Sequence, residues 1–344
     1  MTMAKQNVPP TVVFVHGLAK KPSPENLRKL WLTALSAHSP HPEVFGNHNS
    51  GIDLSDRGIN SIFTYWADVF YGDYYETDLS SYLESTQSAE LNNYMKKSEG
   101  LGAEVQQPDF LKLTPREQRL IQQIERQIAA RLAELPSDSG QKTLLISSTH
   151  ERYEIASWLP EPIKQDIIKK AAMEAYYFLF DKTYILPNSN KTYQVRSELR
   201  MRLTKDLQEA STRGGKVVIV SHSMGTMIAY DVLRNVEDCP QVDTLITLGS
   251  PLGISEVQDE LKGLDAVNID FPATKLNHWI NIYDPLDPVC GLDPRLNNDY
   301  LQVNGKSVLD IKESNWGSWR HNIGHYLSGK LLREQLITKL DISN

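Results

Sequence analysis

One stretch in the middle of the chain, residues 216–230, constrains the fold more than any other. It begins as a run of β-branched residues, breaks at a short polar segment, and continues at once as an apolar pattern with helical period. This order predicts a buried strand that turns sharply into a buried helix, with Ser223 at the apex of the turn. An apex serine of this kind takes a strained backbone conformation, which requires small residues two positions before and after it. Ser221 and Gly225 meet that requirement.

The predicted turn has a chemical consequence. The helix that begins near Met224 directs its free N–H groups and the positive end of its dipole at Ser223, where they can stabilise an oxyanion during acyl transfer. This arrangement, a nucleophile elbow, predicts a nucleophilic serine that needs a histidine and an acid from elsewhere in the chain. The motif differs from G-x-S-x-G in one position, because Ser221 replaces the first glycine. A plain strand-to-helix turn with Ser223 as the helix N-cap is the alternative interpretation.

The elbow and three other segments resemble the landmarks of the α/β-hydrolase superfamily. Their order and approximate spacing are similar to those of its lipase- and esterase-like branch. The segments are an apolar strand with a His-Gly-Leu loop at 11–18, the elbow at 221–225, a glycine-containing loop at 248–253, and a strand with an acidic turn at 279–289. The resemblance implies the α/β-hydrolase fold, in which helices flank a mostly parallel central sheet, and the activity of a serine hydrolase.

The resemblance does not cover the middle of the chain. We therefore predict an α/β-hydrolase core at 1–72 and 192–344 and an inserted helical cap or lid at 73–191, packed over the active-site end of the sheet. Helical periodicity predicts helices across 115–135 and 161–180 within that insertion. The following aromatic residues of the insertion could wall an apolar pocket or form ordinary core: Tyr74, Tyr75, Tyr176, Tyr177, Phe178 and Phe180.

Within the core, hydrophobic patterns predict the remaining strands and helices. The predicted strands are 11–15, one within 59–71, 242–248, 276–283 and 307–311, and the predicted helices are 24–37, 192–212 and one that begins near Asn322. Open α/β sheets bind their ligands at the carboxyl ends of the strands. The loops that follow the predicted strands are therefore the place to look for functional residues.

Composition and charge exclude several classes of function. The chain has 344 residues, 40% of them hydrophobic, and a net charge of −7, which is typical of a soluble globular protein and argues against a nucleic-acid surface. No stretch is long and apolar enough to span a bilayer, and the N-terminal segment lacks the apolar region of a secretory signal, so we expect a cytoplasmic protein without integral membrane association. The two cysteines, Cys239 and Cys290, cannot form a disulfide framework. The histidines are dispersed and no phosphate-binding glycine loop is present, so we expect no metal and no cofactor.

Three carboxylates follow the predicted strand 276–283 and qualify by position as the acid of a triad: Asp284, Asp287 and Asp293. A carboxylate in this loop can reach across to orient a histidine and to stabilise the imidazolium that forms during attack. The Asp-Pro-Val ending resembles the acid turn of the superfamily and favours Asp287. An aspartate before a proline is also a common turn former, and this interpretation suits Asp284 best.

The base is expected in the loop after the last strand, where His321 and His325 stand one helical turn apart. Asn322 is a good N-cap, so a helix that begins there leaves His321 in the loop and His325 within the helix. The ending His-Asn-Ile followed by Tyr-Leu is similar to that of bacterial relatives in the superfamily, which also favours His321. His325 remains the alternative base. His16, after the first strand, competes as well, but the resemblance implies that it shapes its loop.

The resemblance also implies an oxyanion hole, with one N–H group from the loop after the first strand and one from the residue after the nucleophile. In this sequence these are the backbone N–H groups of Leu18 and Met224. Together with Ser223, Asp287 and His321, they predict hydrolysis of a small-molecule or lipid ester through an acyl-enzyme intermediate. A lactonase, thioesterase, amidase or acyltransferase would use the same groups, and a non-catalytic binding scaffold is a further alternative. The sequence leaves the oligomeric state open.

Overall fold

A computed structural model of the protein describes residues 8–39, 48–74, 105–134, 143–146, 152–155, 161–263, 266–315 and 320–342. The strands are β1 (Thr11–Val15), β2 (Asn60–Thr64), β3 (Thr143–Ile146), β4 (Arg152–Ile155), β5 (Thr183–Ile185), β6 (Thr192–Gln194), β7 (Val217–His222), β8 (Val242–Leu248), β9 (Leu276–Tyr283) and β10 (Val308–Lys312). The α-helices are α1 (Pro24–Ser36), α2 (Asp68–Tyr71), α3 (Pro115–Glu134), α4 (Glu161–Leu179), α5 (Val195–Thr212), α6 (Met224–Asn235), α7 (Ser255–Leu261), α8 (Ile323–Ser328) and α9 (Lys330–Lys339). Short 3₁₀ helices lie at Phe110–Lys112, Pro251–Gly253 and Pro288–Cys290.

Six strands form one parallel sheet in the order β10-β9-β8-β7-β1-β2. β1 lies in its interior, so that Val13 pairs with Ile219 of β7 on one side and with Ile62 of β2 on the other. Parallel neighbours require long crossover connections, and in this sheet the crossovers contain helices. The predicted architecture, a parallel central sheet flanked by helices, is therefore confirmed.

β1 is buried on both faces, which explains why its sequence is an unbroken apolar run rather than an alternation. Val13 and Val15 face one apolar core, which includes residues of α5 and α6. Val12 and Phe14 face a second core, which includes residues of α1, α8 and α9. The sheet is therefore the middle of three layers, and its strands end between the two helical layers.

The predicted helix 192–212 begins later than expected. Thr192–Gln194 forms a short antiparallel pair with Thr183–Ile185, and the helix starts at Val195. The predicted start of the helix was wrong because the strand that pairs with Thr192–Gln194 lies outside residues 192–212, the segment whose apolar pattern predicted the helix. The other strands and helices predicted for the core lie at or within one or two residues of their predicted bounds.

The last predicted helix is interrupted. α8 ends before Gly329, whose backbone is extended, and α9 begins after it. A carboxylate oxygen of Glu313 accepts a hydrogen bond from the N–H of Leu331 at 3.0 Å, which satisfies one of the free donors of the new helix. The apolar stripe continues across the break, so the stripe alone predicted a single helix.

The described helices of the predicted insertion, residues 73–191, pack against elements of the predicted core. Helices α3 and α4 share one apolar core with α5, α6 and one face of β1. Tyr176, Tyr177 and Phe178 are buried in it, which favours the interpretation of these rings as ordinary core. Tyr74 is 46% exposed, and Tyr75 lies outside the described residues. The role of this segment as a lid stays a prediction.

Two further features of the insertion concern its secondary structure. β3 and β4 form an antiparallel hairpin that was not predicted from the sequence. α3 and α4 have 20 and 19 residues, the predicted helices with slightly different ends. Within the described ranges, no helix combines the length and the apolar character that crossing a bilayer demands.

One buried carboxylate joins α5 to α6. Asp231 is fully buried and accepts paired hydrogen bonds from the guanidinium groups of Arg196 and Arg200, at distances between 2.6 and 2.9 Å. Burial alone raises the pKa of Asp231, but the hydrogen bonds from the two guanidinium groups outweigh it and hold the pKa below its ordinary value. The ionised carboxylate therefore stabilises the folded state at neutral pH.

We expect Asp231→Ala to lower the free energy of unfolding by about 3 kcal/mol, because it leaves two partly buried guanidinium groups without a counter-charge. Urea unfolding at neutral pH measures the change. Glu209→Ala is the control, since it removes an ion pair between Glu209, an exposed residue of α5, and Arg213, directly after that helix, and should leave stability almost unchanged. Because the pKa of Asp231 is lowered, its contribution is lost as the pH falls through the acidic range. Equal effects of the two variants would contradict the expectation.

Candidate active site

The predicted elbow is present in the structure. β7 ends at His222, α6 begins at Met224, and Ser223 between them has φ 56° and ψ −131°. A positive φ is strained for a serine and is unfavourable by about 1–3 kcal/mol. Backbone hydrogen bonds hold the turn, since Ser223 N donates to Leu248 O at 3.0 Å and Thr226 N donates to Ser223 O at 2.9 Å.

The side chain of Ser223 is fully buried and does not cap α6. Its Oγ has no hydrogen-bond partner among the residues that the structure describes. Buried hydroxyl groups are normally hydrogen-bonded, so a buried hydroxyl without such a bond calls for an explanation. Ser223 occupies the N-cap position of α6, but its side chain makes no capping hydrogen bond, so side-chain capping does not explain the serine at this position.

Two glycines make room for the elbow. A Cβ atom on Gly225 would lie 2.5 Å from the carbonyl oxygen of His16, so α6 approaches the end of β1 only with a glycine at this position. A Cβ atom on Gly17 would lie 2.5 Å from the Cβ atom of Ser223. The need for a small residue at 225 was predicted from the sequence, whereas the need at 17 depends on the packing of two distant segments.

Asp287 and His321, the predicted acid and base, lie in contact. Nδ1 of His321 is 2.8 Å from Oδ2 and 2.9 Å from Oδ1 of Asp287, and both side chains are buried. Oδ1 of Asp287 also accepts a hydrogen bond from the N–H of Val289 at 2.9 Å, and Oδ2 accepts one from the hydroxyl of Tyr326 at 2.7 Å. These donors fix the carboxylate, which in turn fixes the imidazole ring.

The other two candidate acids have different partners. Asp284 accepts a hydrogen bond from the backbone two residues further on, as expected of a turn former, and it also forms a buried ion pair with Arg320 at 3.1 Å. The N–H of Asn315 donates to Asp284 at 2.7 Å. Asp293 is partly exposed and lies beside a neighbouring arginine. Because Arg320 directly precedes His321, Asp284 holds the loop that carries the imidazole.

The glycine loop after β8 lies against the acid and the histidine. A Cβ atom on Gly249 would lie 2.6 Å from Oδ2 of Asp287 and 3.0 Å from Nδ1 of His321, and Gly249 has φ 53°. Gly249 also follows Leu248, whose carbonyl oxygen accepts the hydrogen bond from Ser223 N. Adjacent backbone positions, Leu248 and Gly249, therefore contact the serine and the acid–histidine pair.

A second histidine connects Ser223 to His321. The ring of His222 lies with its centroid 4.4 Å from that of His321, and its Nε2 is 3.0 Å from the His321 carbonyl oxygen. Burial lowers the pKa of His222 well below its ordinary value, and the nearby imidazole of His321 adds to the shift. Ser223 follows His222 directly, so the structure brings the predicted serine, acid and histidine into one buried cluster at the carboxyl edge of the sheet.

The predicted N-cap fixes the place of the two competing histidines. Oδ1 of Asn322 accepts a hydrogen bond from the N–H of Gly324 at 2.7 Å, and α8 begins at the residue between them. His321 therefore lies in the loop before the helix, as predicted. His325 lies within α8 and is buried, so its expected place on a helix is observed, but on an inner face.

His16 shapes the loop after β1. The N–H of Trp66 donates to its Nε2 at 3.0 Å, and the indole N–H of Trp66 donates to its carbonyl oxygen at 3.0 Å. Because Nε2 accepts, Nδ1 carries the proton and donates to the carbonyl oxygen of Gly17 at 2.7 Å. Burial lowers the pKa of His16 well below its ordinary value. Both ring nitrogens are thus engaged in holding backbone, which agrees with the loop-shaping role that the resemblance implies.

The loop between β1 and α1 is held by two ionisable side chains. Ala19 has φ 73°, and its N–H donates to Oε1 of Glu174 at 2.9 Å. Nζ of Lys21 donates to the carbonyl oxygen of Leu18 at 2.6 Å. Burial lowers the pKa of Lys21 to about 8, and the carboxylate of Glu174 opposes that shift. The backbone around Leu18, the predicted oxyanion donor, is therefore fixed from two sides.

Three residues that contact the site loops were not predicted as functional: Glu174, Arg320 and Tyr326. Glu174 is the single charged residue between positions 171 and 180, in an otherwise apolar and aromatic run. A lone acid in such a run is the signal that could have identified it, because carboxylates are almost never buried without partners. Arg320 and Tyr326 flank the predicted base, but their contacts with aspartates more than thirty positions away leave no local pattern.

The structure offers no evident metal site within the residues that it describes. Among them, no group of three or more histidine, cysteine, aspartate or glutamate side chains is arranged to hold a metal ion. Both cysteines are buried and free. Burial raises the pKa of Cys239 to about 11, so this thiol is a packing group at neutral pH.

Comparison with known proteins gives one family match. Residues 184–276, which include the elbow, match the family model of the PGAP1-like alpha/beta domain. No curated protein sequence matches the chain significantly. The match, together with the parallel sheet and the elbow, supports the α/β-hydrolase fold that the sequence predicted.

Two solved structures illustrate how partial the structural likeness is. A soluble variant of monoglyceride lipase from Saccharomyces cerevisiae is 13% identical over 43% of this chain and 68% of its own, with a TM-score of 0.27. A hormone-sensitive lipase from a metagenome library is 12% identical over 73% of this chain and 98% of its own, with a TM-score of 0.28. Similarity at this level carries no argument about substrate.

We expect the buried neutral imidazole of His222 to make stability depend on pH. Burial lowers the pKa of His222 in the folded protein, so below the ordinary pKa of histidine the unfolded chain binds a proton that the folded protein does not. The contribution of His222 to stability is therefore complete at a pH above that ordinary pKa and is lost as the pH falls below it. The stability advantage of the parent over His222→Gln should therefore shrink by about 1 kcal/mol between about pH 7 and pH 5.5. Urea unfolding of both proteins across this range measures it. An advantage that is constant or grows as the pH falls would show that His222 is protonated in the folded state.

Proposed function

We propose that the protein is a serine hydrolase that cleaves carboxylic esters through an acyl-enzyme intermediate. In this proposal Ser223 is the nucleophile, His321 is the base and Asp287 is the acid. The observation that carries the proposal is the contact of Nδ1 of His321 with both carboxylate oxygens of Asp287, beside the strained turn that presents Ser223. The ring contact between His321 and His222, the residue before Ser223, supports grouping the three residues as a nucleophile, a base and its orienting acid.

The contact with Asp287 selects the tautomer of His321. An ionised carboxylate only accepts hydrogen bonds, so Nδ1 of His321 carries the proton and Nε2 is left as the basic nitrogen. Nε2 takes the proton of Ser223 as its oxygen attacks the ester carbonyl. Asp287 stabilises the imidazolium that results, and His321 then gives the proton to the departing alkoxide.

Negative charge develops on the carbonyl oxygen as Ser223 attacks. Met224 is the first residue of α6, so its N–H has no partner within the helix and is directed toward the helix end. The N–H of Leu18 comes from the loop that Glu174 and Lys21 hold. We assign these two N–H groups to the oxyanion hole, where they stabilise the tetrahedral intermediate. Water then attacks the acyl-enzyme, with His321 again as base, and releases the carboxylic acid.

The proposal keeps the predicted division of the chain into an α/β-hydrolase core and an inserted cap. The core, residues 1–72 and 192–344, supplies the nucleophile, acid, base and both oxyanion donors. The insertion, residues 73–191, forms the cap that bounds the site, and the substrate is a small-molecule or lipid ester. A cytoplasmic location stays a prediction.

We expect a fluorophosphonate probe to label the parent protein at Ser223, because an activated serine attacks phosphorus as it attacks a carbonyl carbon. Ser223→Ala should abolish labelling and lower kcat for ester hydrolysis by about 10⁴-fold or more. Peptide mass spectrometry and hydrolysis of nitrophenyl esters, beside matching amides and thioesters, are the measurements. Ser328→Ala is the control, since Ser328 is a buried serine in α8 with no proposed role. An unlabelled but folded parent would favour a non-catalytic scaffold.

We expect the two C-terminal histidines to differ in their effect on catalysis. His321→Ala should lower kcat by about 10⁴-fold, because it removes the proton acceptor, while the oxyanion hole keeps a residual rate. His325→Ala should affect stability and leave kcat within about tenfold of the parent, because His325 belongs to the packing of α8. Steady-state kinetics with circular dichroism on each variant compares them. Loss of activity in His325→Ala alone would reverse the assignment of the base.

A further inference from the structure

Glu174 lies in the inserted helix α4 and is fully buried. Two donors converge on one of its oxygens: Oε1 accepts hydrogen bonds from the N–H of Ala19 at 2.9 Å and from the hydroxyl of Tyr71 at 2.6 Å. Oε2 has no hydrogen-bond partner among the residues that the structure describes. A buried carboxylate with one unsatisfied oxygen is unfavourable for stability compared with an apolar residue of similar size. Its presence therefore calls for a reason other than packing.

The contact with Ala19 provides that reason. Ala19 has φ 73°, a conformation that residues other than glycine, asparagine and aspartate seldom adopt. Relaxation of this angle would rotate the peptide groups on both sides of Ala19 and would move the adjoining residue, Leu18. The hydrogen bond from Ala19 N to Glu174 opposes that relaxation, while Lys21 holds the carbonyl oxygen of Leu18.

We infer that Glu174 is a positioning residue, which holds the N–H of Leu18 in the orientation that a bound oxyanion requires by accepting the hydrogen bond from Ala19. The inference rests on the proposed function, because it gives a role to the oxyanion hole of that site. It extends the proposal, because it gives a residue of the inserted segment a role in stabilising the transition state, in addition to the segment's proposed role as a cap. Misplacement of one oxyanion donor by an ångström is enough to lower a rate substantially.

Two substitutions separate the hydrogen-bond acceptor from the charge. Glu174→Gln keeps a carbonyl oxygen where Ala19 and Tyr71 donate and removes the charge, so kcat should stay within about threefold of the parent. Glu174→Met keeps the length of the side chain and suits the apolar core, but it removes the acceptor. Its kcat for ester hydrolysis should fall by about tenfold to a hundredfold with KM changed by less than about threefold, since the defect lies in stabilisation of the transition state. The rate of phosphonylation of Ser223 should fall in parallel, because the phosphoryl oxygen occupies the same hole.

Glu117 provides the matched control. It is a buried carboxylate on the other inserted helix, α3, where it caps the first turn through Thr114 and pairs with Lys182. Glu117→Gln and Glu117→Met should change thermal stability and leave kcat and the phosphonylation rate at the parent values. This pattern distinguishes positioning from a general effect of losing a buried carboxylate in the insertion.

The outcomes distinguish this inference from the proposed function. A parent that hydrolyses esters and is labelled, together with a folded Glu174→Met variant that does both at the parent rate, overturns the inference and leaves the proposed function intact. Equal losses in Glu174→Gln and Glu174→Met also overturn it, because they assign the effect to charge. A parent that is neither labelled nor active removes the proposed function itself.

Discussion

The surrounding structure maintains a strained backbone conformation at Ser223. A φ of 56° is unfavourable by about 1–3 kcal/mol, and it persists because the segments on both sides cannot move. β7 is hydrogen-bonded to β1 and β8 along its length, and the residues of α6 from Met224 to Leu233 are buried. Gly17 and Gly225 let the end of β1 approach the turn more closely than any side chain would allow. The strain at one residue is thus supported by the packing of the whole central sheet.

Helices α3 and α4 support the site through hydrogen bonds to its loops. From α4, Glu174 accepts the hydrogen bond of the loop that follows β1. From α3, Arg131 donates to the carbonyl oxygens of Gly291 and Leu292, directly beyond the turn that carries Asp287. The two sides of the cluster around Ser223 are therefore held by a segment that carries none of the proposed catalytic groups.

What could be predicted from the sequence were the features with a local signal. The apolar runs of β1 and β7 marked strands buried on both faces, the elbow followed from their junction with α6, and Asn322 correctly separated His321 from His325. The features that could not be predicted depend on contacts between distant positions. Glu174 and Ala19 are 155 residues apart, and no periodicity in either segment refers to the other. Similarly, the break between α8 and α9 depends on Glu313, which lies outside the apolar stripe that predicted one helix.

The polar groups around His321 show how contacts outside the sheet can hold a side chain in one place. Asp284 and Arg320 are each about as buried as core residues, and burial raises the pKa of Asp284 although the guanidinium of Arg320 opposes the shift. An ion pair so fully removed from water adds little net stability compared with apolar packing, because the loss of solvation offsets most of the attraction. The contribution of the Asp284–Arg320 ion pair is to fix the relative position of two loops. The pair ties the turn after β9 to the residue before His321, while Asn315 donates from its side chain to the carbonyl oxygen of Arg320 at 2.7 Å. The same turn, three residues on, carries Asp287, so one polar network sets the positions of both members of the acid–histidine pair, and their contact at 2.8 Å follows from it.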